Sequence, residues 1–298
     1  MLSILIPTYN YDVTRLVTEL HRQALNTYVD FEILVMEDGS TQFLEENKAI
    51  SNLQFCHYTA LSHNIGRSAI RNRLADEARY GHLLFIDCDA EVHTSHFVEK
   101  YLAFCREEVV VIGGTAYEPE NNDPDFSLRL KYGRMREAKS AQNREQAGKY
   151  SHFSSFNFLI SKSIFNQIRF DESIRGYGHE DTLFGHQIAE LHCEVHHIDN
   201  DLIHKGLDDN ILFIHKTEES TKNLYLLHKS NKYPFLANQS KLLRTFINLD
   251  RKNLSPFLAK LFSVLQTCMQ KQLCSRRPSL KIYDLYKLLY LAKISLSD

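Results

Sequence analysis

The chain has 298 residues, 43% hydrophobic and 24% charged, with a formal net charge of −2. That length buries a full core, the balance excludes a disordered or fibrous chain, and the near-neutral charge argues against binding to nucleic acid in general. No apolar run reaches the roughly 18 residues that span a bilayer. The opening stretch MLSILIPTYNYD has no basic flank and no small-residue cleavage site, so it is not expected to be a signal peptide. Six scattered cysteines without a CxxC pair read as reduced thiols of a cytoplasmic protein.

The elements follow in order. Short apolar runs over 2–7, 31–36, 53–59, 82–86 and 109–112 predict strands. Segments with helical spacing at 13–24, 65–79 and 96–105 lie between them. Strands separated by helix-length segments imply crossover units and a mostly parallel α/β sheet flanked by helices. A loop opening into a helix is predicted over 180–190, and 191–198 alternates like a strand, with His204 in a polar loop after it. Residues 231–298 hold twelve basic and three acidic residues, a balance of +9, which leaves −11 for 1–230. This switch predicts a first domain over 1–230 and a basic helical extension over 231–298.

Ligands of such sheets collect at the carboxyl ends of the strands. Those ends carry Pro7-Thr8-Tyr9-Asn10, Glu37-Asp38-Gly39-Ser40 and Asp87-Cys88-Asp89. Two carboxylates one residue apart point the same way if the strand is still extended, and they repel unless a cation lies close. A hard divalent ion meets that need, and a solvated turn is the alternative. Asn64 is read as the N-cap of the helix carrying Arg67 and Arg71, which share a face suited to a phosphate or simply exposed to water. Gly176-Tyr177-Gly178-His179-Glu180-Asp181 places an acidic pair at a helix start, as a dipole complement or as a general base.

Taken in this order, these motifs resemble the inverting glycosyltransferases of family 2, over about residues 2–220. The resemblance implies a GT-A fold, Rossmann-like, and a nucleotide-diphosphate sugar donor, most often with uracil as base. Thr8, Tyr9 and Asp38 would contact the nucleotide, with Asn64 and Arg71 near it and Asp87 near the ribose or donor sugar. Asp89 and His204 would hold Mn2+ or Mg2+, Asp181 would be the catalytic base, and Glu180 would hold the acceptor. Segment 132–158 is similar to the acceptor-side region of bacterial members, and Tyr177 or Phe156 would supply the acceptor-side aromatic in a chain without Trp. Glu37 departs from the aspartate that many members carry there.

The implied reaction is a single displacement onto a hydroxyl of a glycan or lipid-linked acceptor, in polysaccharide biosynthesis. A sugar nucleotidyltransferase is opposed by the absence of a Gly-rich basic loop near the N-terminus; a non-catalytic scaffold is opposed by the presence of both Asp89 and Asp181. Two or three amphipathic helices in 231–298 would pack on the domain, support a homodimer, or touch the anionic inner face of the membrane.

Overall fold

A computed structural model describes residues 1–105, 108–150, 153–174 and 176–296. Two compact units emerge: Met1–Glu118 with Arg136–Arg175 and Glu180–Gly206, and Pro119–Met135 with Gly176–His179 and Leu207–Asp298.

The first unit alternates strands and helices, as the spacing predicts: β1 Leu2–Thr8, α1 Thr14–Leu25, β2 Phe31–Glu37, α2 Leu44–Lys48, β3 Cys56–Ala60, α3 Arg67–Glu77 and β4 His82–Ile86. The two-residue β5 Ala90–Glu91 follows, then α4 Phe97–Leu102, β6 Val110–Ile112, β7 Thr115–Ala116 and, further along, α6 Ala141–Gln146. β3 starts later than the apolar run, because Leu53 and Cys56 donate backbone bonds within the turns after α2 rather than to a neighbouring strand.

The main sheet has the order β3-β2-β1-β4, continued by β8 Asn157–Ser161, β6 and β9 Val195–His197. Its first four strands are mutually parallel, and β8 runs antiparallel to both β4 and β6. Successive side chains alternate between faces, so a strand covered on both sides must be apolar throughout. Ile4, Ile33 and Leu84 pack on one face with Leu16 and Leu20 of α1 and Phe97 of α4. Leu5, Leu34 and Phe85 pack on the other with Ile70 and Leu74 of α3. That second face is completed by Phe165 of α7 Lys162–Phe165 and Phe184 of α8 Glu180–Glu190. A small second sheet joins β5, β10 Leu202–His204 and β7.

The second unit is helical: α9 Asn210–Lys229, α10 Leu236–Gln239, α11 Lys241–Asp250, α12 Ser255–Leu273 and α13 Leu280–Ser295, with α5 Ser127–Tyr132. Phe213 of α9, Phe262 and Leu273 of α12, and Tyr286 and Leu289 of α13 form its core. The charge switch near 231 therefore falls inside this unit, after α9. Composition changes where the surface becomes basic, whereas the unit boundary is set by which helices share a core. No helix among the described residues is long and apolar enough to cross a membrane.

Candidate active site

The nucleotide-side residues converge at the carboxyl ends of β1, β2 and β4. Thr8 ends β1 with its side chain buried, and its carbonyl accepts from the Asp38 amide at 2.8 Å. Tyr9 follows it, 54% exposed. Asp38 is 4% exposed, and its two carboxylate oxygens accept from the amides of Ile65 at 2.6 Å and Gly66 at 3.0 Å. It thereby ties the end of β2 to the loop that opens α3. Asn64 is not the N-cap: α3 starts after Gly66, and the Asn64 side-chain amide donates to the Asp38 carbonyl at 3.0 Å. The left-handed φ of +95° at Gly66 sets the helix start two residues later than the sequence pattern implies. Gly39, at φ +70°, lies so close to this loop that a Cβ would overlap the backbone nitrogen of Asn64. Glu37 is buried, bonded to Ser40 and to the Asn47 side chain at 2.7 Å, and burial raises its carboxyl above the usual range.

The two aspartates after β4 do not point the same way. The Ala90 amide bonds back to the Asp87 carbonyl at 3.2 Å, so the backbone turns between them and each finds its own partner. Asp87 accepts from the Arg71 guanidinium at 2.6 Å. Asp89 lies 3.1 Å from Nε2 of His204. Mutual repulsion is relieved separately at each carboxylate. His204 belongs to β10 rather than to a loop, and the pairing of His204 with Ala90 brings it beside Asp89. Gly206 permits the approach, since a Cβ there would overlap the Asp89 carboxylate. Burial acts to raise the Asp89 carboxyl, but the His204 bond, the charge of His204 and that of Arg67 hold it below the usual range.

Arg71 and Arg67 share a helix but not an environment. Arg71 has a side chain only 4% exposed, packed over the Phe170 ring, so it is not part of a solvated basic face. Burial disfavours its charge, but Asp87, Asp181 and Glu180 outweigh that and raise its pKa. Arg67 is half exposed and lies 3.8 Å from Glu180.

Asp181 stands in the first turn of α8, as expected. The Ser155 amide donates to its Oδ2 at 3.1 Å, and the Ser155 side chain also helps to lower its carboxyl. Its buried Oδ1 has no partner among the described residues, nor has Oε2 of the neighbouring Glu180. Unpaired buried polar atoms are uncommon, and a catalytic role is one of the reasons a fold keeps them. Burial, reinforced by Glu180, pushes the Asp181 carboxyl up to about 6, against the lowering effect of Arg71 and Ser155. A carboxyl poised there takes up a proton readily near neutral pH.

Ser155 carries no chemical signature in the sequence, and Phe156, expected only as an acceptor-side aromatic, has a second part here. The Phe156 carbonyl accepts from the Asp87 amide at 3.1 Å, and its ring meets His204 edge-on at 5.3 Å. These two residues thus connect Asp181, Asp87 and His204. Tyr11 is another residue that pattern reading passes over. Burial and the charges of Asp89 and Cys88 push its phenol up to about 12. Tyr177 is in the second unit, where Lys216 lies over its ring. Among the described residues no group of three or more His, Cys, Asp or Glu side chains could hold a metal ion, so Asp89 and His204 stand as a pair.

A mostly parallel sheet with carboxylates and arginines at its strand ends, and a carboxylate with one unpaired oxygen on an adjoining helix, matches the GT-A arrangement. The glycosyl transferase family 2 profile matches residues 3–169, and the chain belongs to that family. The chondroitin synthase of Escherichia coli is 23% identical over 226 residues, 64% of this chain and 32% of that protein. That of Pasteurella multocida (strain Pm70) is 26% identical over 230 residues, 66% and 24% respectively. The chain thus spans 24% to 32% of the length of these curated relatives. Two solved structures share the fold at lower identity. S. aureus TarS 1-349 in complex with UDP has a TM-score of 0.51 at 17% identity, covering 99% of this chain and 91% of that one. The mannosyltransferase PcManGT from Pyrobaculum calidifontis, in complex with GDP-Man and Mn2+, has a TM-score of 0.52 at 11% identity, with coverages of 99% and 86%.

Proposed function

We propose that the chain transfers a hexosyl or N-acetylhexosaminyl group from a UDP-sugar to a hydroxyl of a glycan or lipid-linked acceptor, with inversion, in the building of a bacterial polysaccharide. The observation that carries this reading is the unpaired Oδ1 of Asp181, buried beside Arg71, which itself holds Asp87. The UDP complex of TarS supports uracil as the donor base.

In the reaction, Asp181 Oδ1 takes the acceptor hydroxyl proton as that oxygen attacks the anomeric carbon. The sugar–phosphate bond breaks on the opposite face, and the nucleoside diphosphate leaves with the electron pair. One displacement inverts configuration without a covalent enzyme intermediate. Ser155 holds Oδ2, which leaves Oδ1 directed to the acceptor. Glu180 orients the acceptor through its unpaired Oε2. Arg67, the more exposed arginine, faces the diphosphate, and Arg71 fixes Asp87 toward the ribose or donor sugar. Tyr9 stacks near the base, and Thr8, Asp38 and Asn64 shape its loop through the bonds described above.

The carboxylate of Asp89 and the imidazole of His204 make a donor pair that fits Mn2+ or Mg2+ when phosphate oxygens fill the remaining positions. Such an ion, when bound, neutralises charge on the leaving diphosphate. A catalytic domain over 1–230, a cytoplasmic location with peripheral membrane contact through 231–298, and a homodimer complete the proposal.

Calorimetry of UDP binding with and without manganese, on wild type and Asp89→Ala, tests the donor half. Manganese-dependent binding lost in the variant supports it, and unchanged binding refutes it. Asp181→Asn tests the acceptor half: transfer should fall by more than about 100-fold with UDP affinity retained. Loss of UDP affinity in that variant would overturn the base assignment.

A further inference from the structure

Helix α12 has two different long faces. Its inward face supplies Phe262, Met269 and Leu273 to the core of the second unit. Its outward face does no packing work within the chain. Phe257 is 63% exposed and Val264 is 71% exposed, one heptad apart and hence on one side of the helix. Lys260 and Lys271 are exposed on the same side, and Arg251 and Lys252 are exposed in the turn that leads into the helix. Residues 251–273 contain no Asp or Glu.

Single exposed apolar residues need no explanation. An exposed Phe and Val interleaved with cations, on a helix whose core duties are met elsewhere, form the pattern of a helix that lies in a membrane interface. We propose that the outward face of α12 docks on an anionic lipid bilayer, with Phe257 and Val264 entering the headgroup boundary and the four cations meeting lipid phosphates. The charge of the face selects this occupant. In a two-fold pairing with a second copy the same patch faces itself, which sets lysine against lysine. A polyanionic glycan would use the cations but leave the apolar pair unused.

This inference rests on the peripheral-contact part of the proposed function and is independent of the catalytic part. No helix among the described residues is long and apolar enough to cross a membrane.

The test is flotation of the full chain with phosphatidylcholine vesicles, with and without phosphatidylglycerol, at low and high salt. Binding should require phosphatidylglycerol and weaken with salt. Lys260→Glu with Lys271→Glu should lower the partition coefficient by about thirtyfold or more, from about 1 kcal/mol for each lysine near an anionic surface. Phe257→Asp with Val264→Asp should abolish flotation while the protein melts as wild type does. UDP calorimetry on the same preparations reports the donor site separately, so a failure of docking is not confused with a failure of the catalytic reading. Absence of phosphatidylglycerol-dependent binding in wild type would overturn the inference. So would equal binding by both double variants, or a wild-type dimer that Phe257→Asp disperses while no preparation floats.

Discussion

The bond from Ser155 to the proposed base offers the sharpest quantitative test. Five influences act on the Asp181 carboxyl: burial and Glu180 raise it, while Arg71, the Ser155 amide and the Ser155 side chain lower it, leaving it at about 6. Ser155→Ala removes the hydroxyl and keeps the amide bond to Oδ2. Removing a group that stabilises the anion raises the pKa. A hydrogen bond to a charged group contributes about 1.5–3 kcal/mol, and part of that is recovered from the retained amide. With one unit equal to about 1.4 kcal/mol, the expected rise is about one unit, to about 7. The assay is the acid limb of the kcat/KM profile for transfer, which reports the base of the free enzyme. Near pH 6 the ionised fraction falls from about one half to about one tenth, a loss of roughly fivefold. At alkaline pH the two enzymes should converge, because Asp181 is ionised in both. UDP affinity should not change, and Ser155→Thr, which restores a hydroxyl, should return the limb toward 6. A Ser155→Ala profile with its limb still near 6, or a deficit equal at every pH, would refute the reasoning.

Two stability predictions follow from the loops behind the site. Arg71→Met leaves Asp87 without its cation and removes a fully packed guanidinium, so it should destabilise by about 3 kcal/mol; urea unfolding showing less than about 1 kcal/mol would contradict the buried pairing. Gly39→Ala forces a Cβ into the Asn64 backbone at a left-handed φ. It should cost more than about 2 kcal/mol and weaken UDP binding, and a thermal midpoint equal to wild type would show that the loop accommodates the methyl group.

Strands β1, β2, β4 and β6 were legible in the sequence because each is buried along nearly its whole length and so is mostly apolar, whereas β8 was not foreseen. The ends of those runs, marked by Asp38, Asp87 and Asp89, gave the chemistry its location. Asp181 was legible because an acidic pair follows two glycines and precedes a periodic helix. What pattern could not supply was pairing. That Asp87 belongs to Arg71 and Asp89 to His204 depends on a turn between the aspartates and on the antiparallel contact of two very short strands, 112 residues apart at Glu91 and Ile203. Asn64 looked like a cap because cap residues are recognised by type, whereas its amide is spent across the loop on Asp38. The basic tail was visible as charge. Its division into an inner packed face and an outer cationic face required knowing which helices α12 packs against. The sequence by itself determined which residues are apolar, charged and conformationally permissive, and with them strands β1, β2, β4 and β6, helices α1, α3, α4 and α8 and the strand-end motifs, because those follow from local periodicity. Tertiary structure alone decided which carboxylate meets which cation, which oxygen of Asp181 stays unpaired and where the second unit begins, because each is set by contacts between segments far apart along the chain.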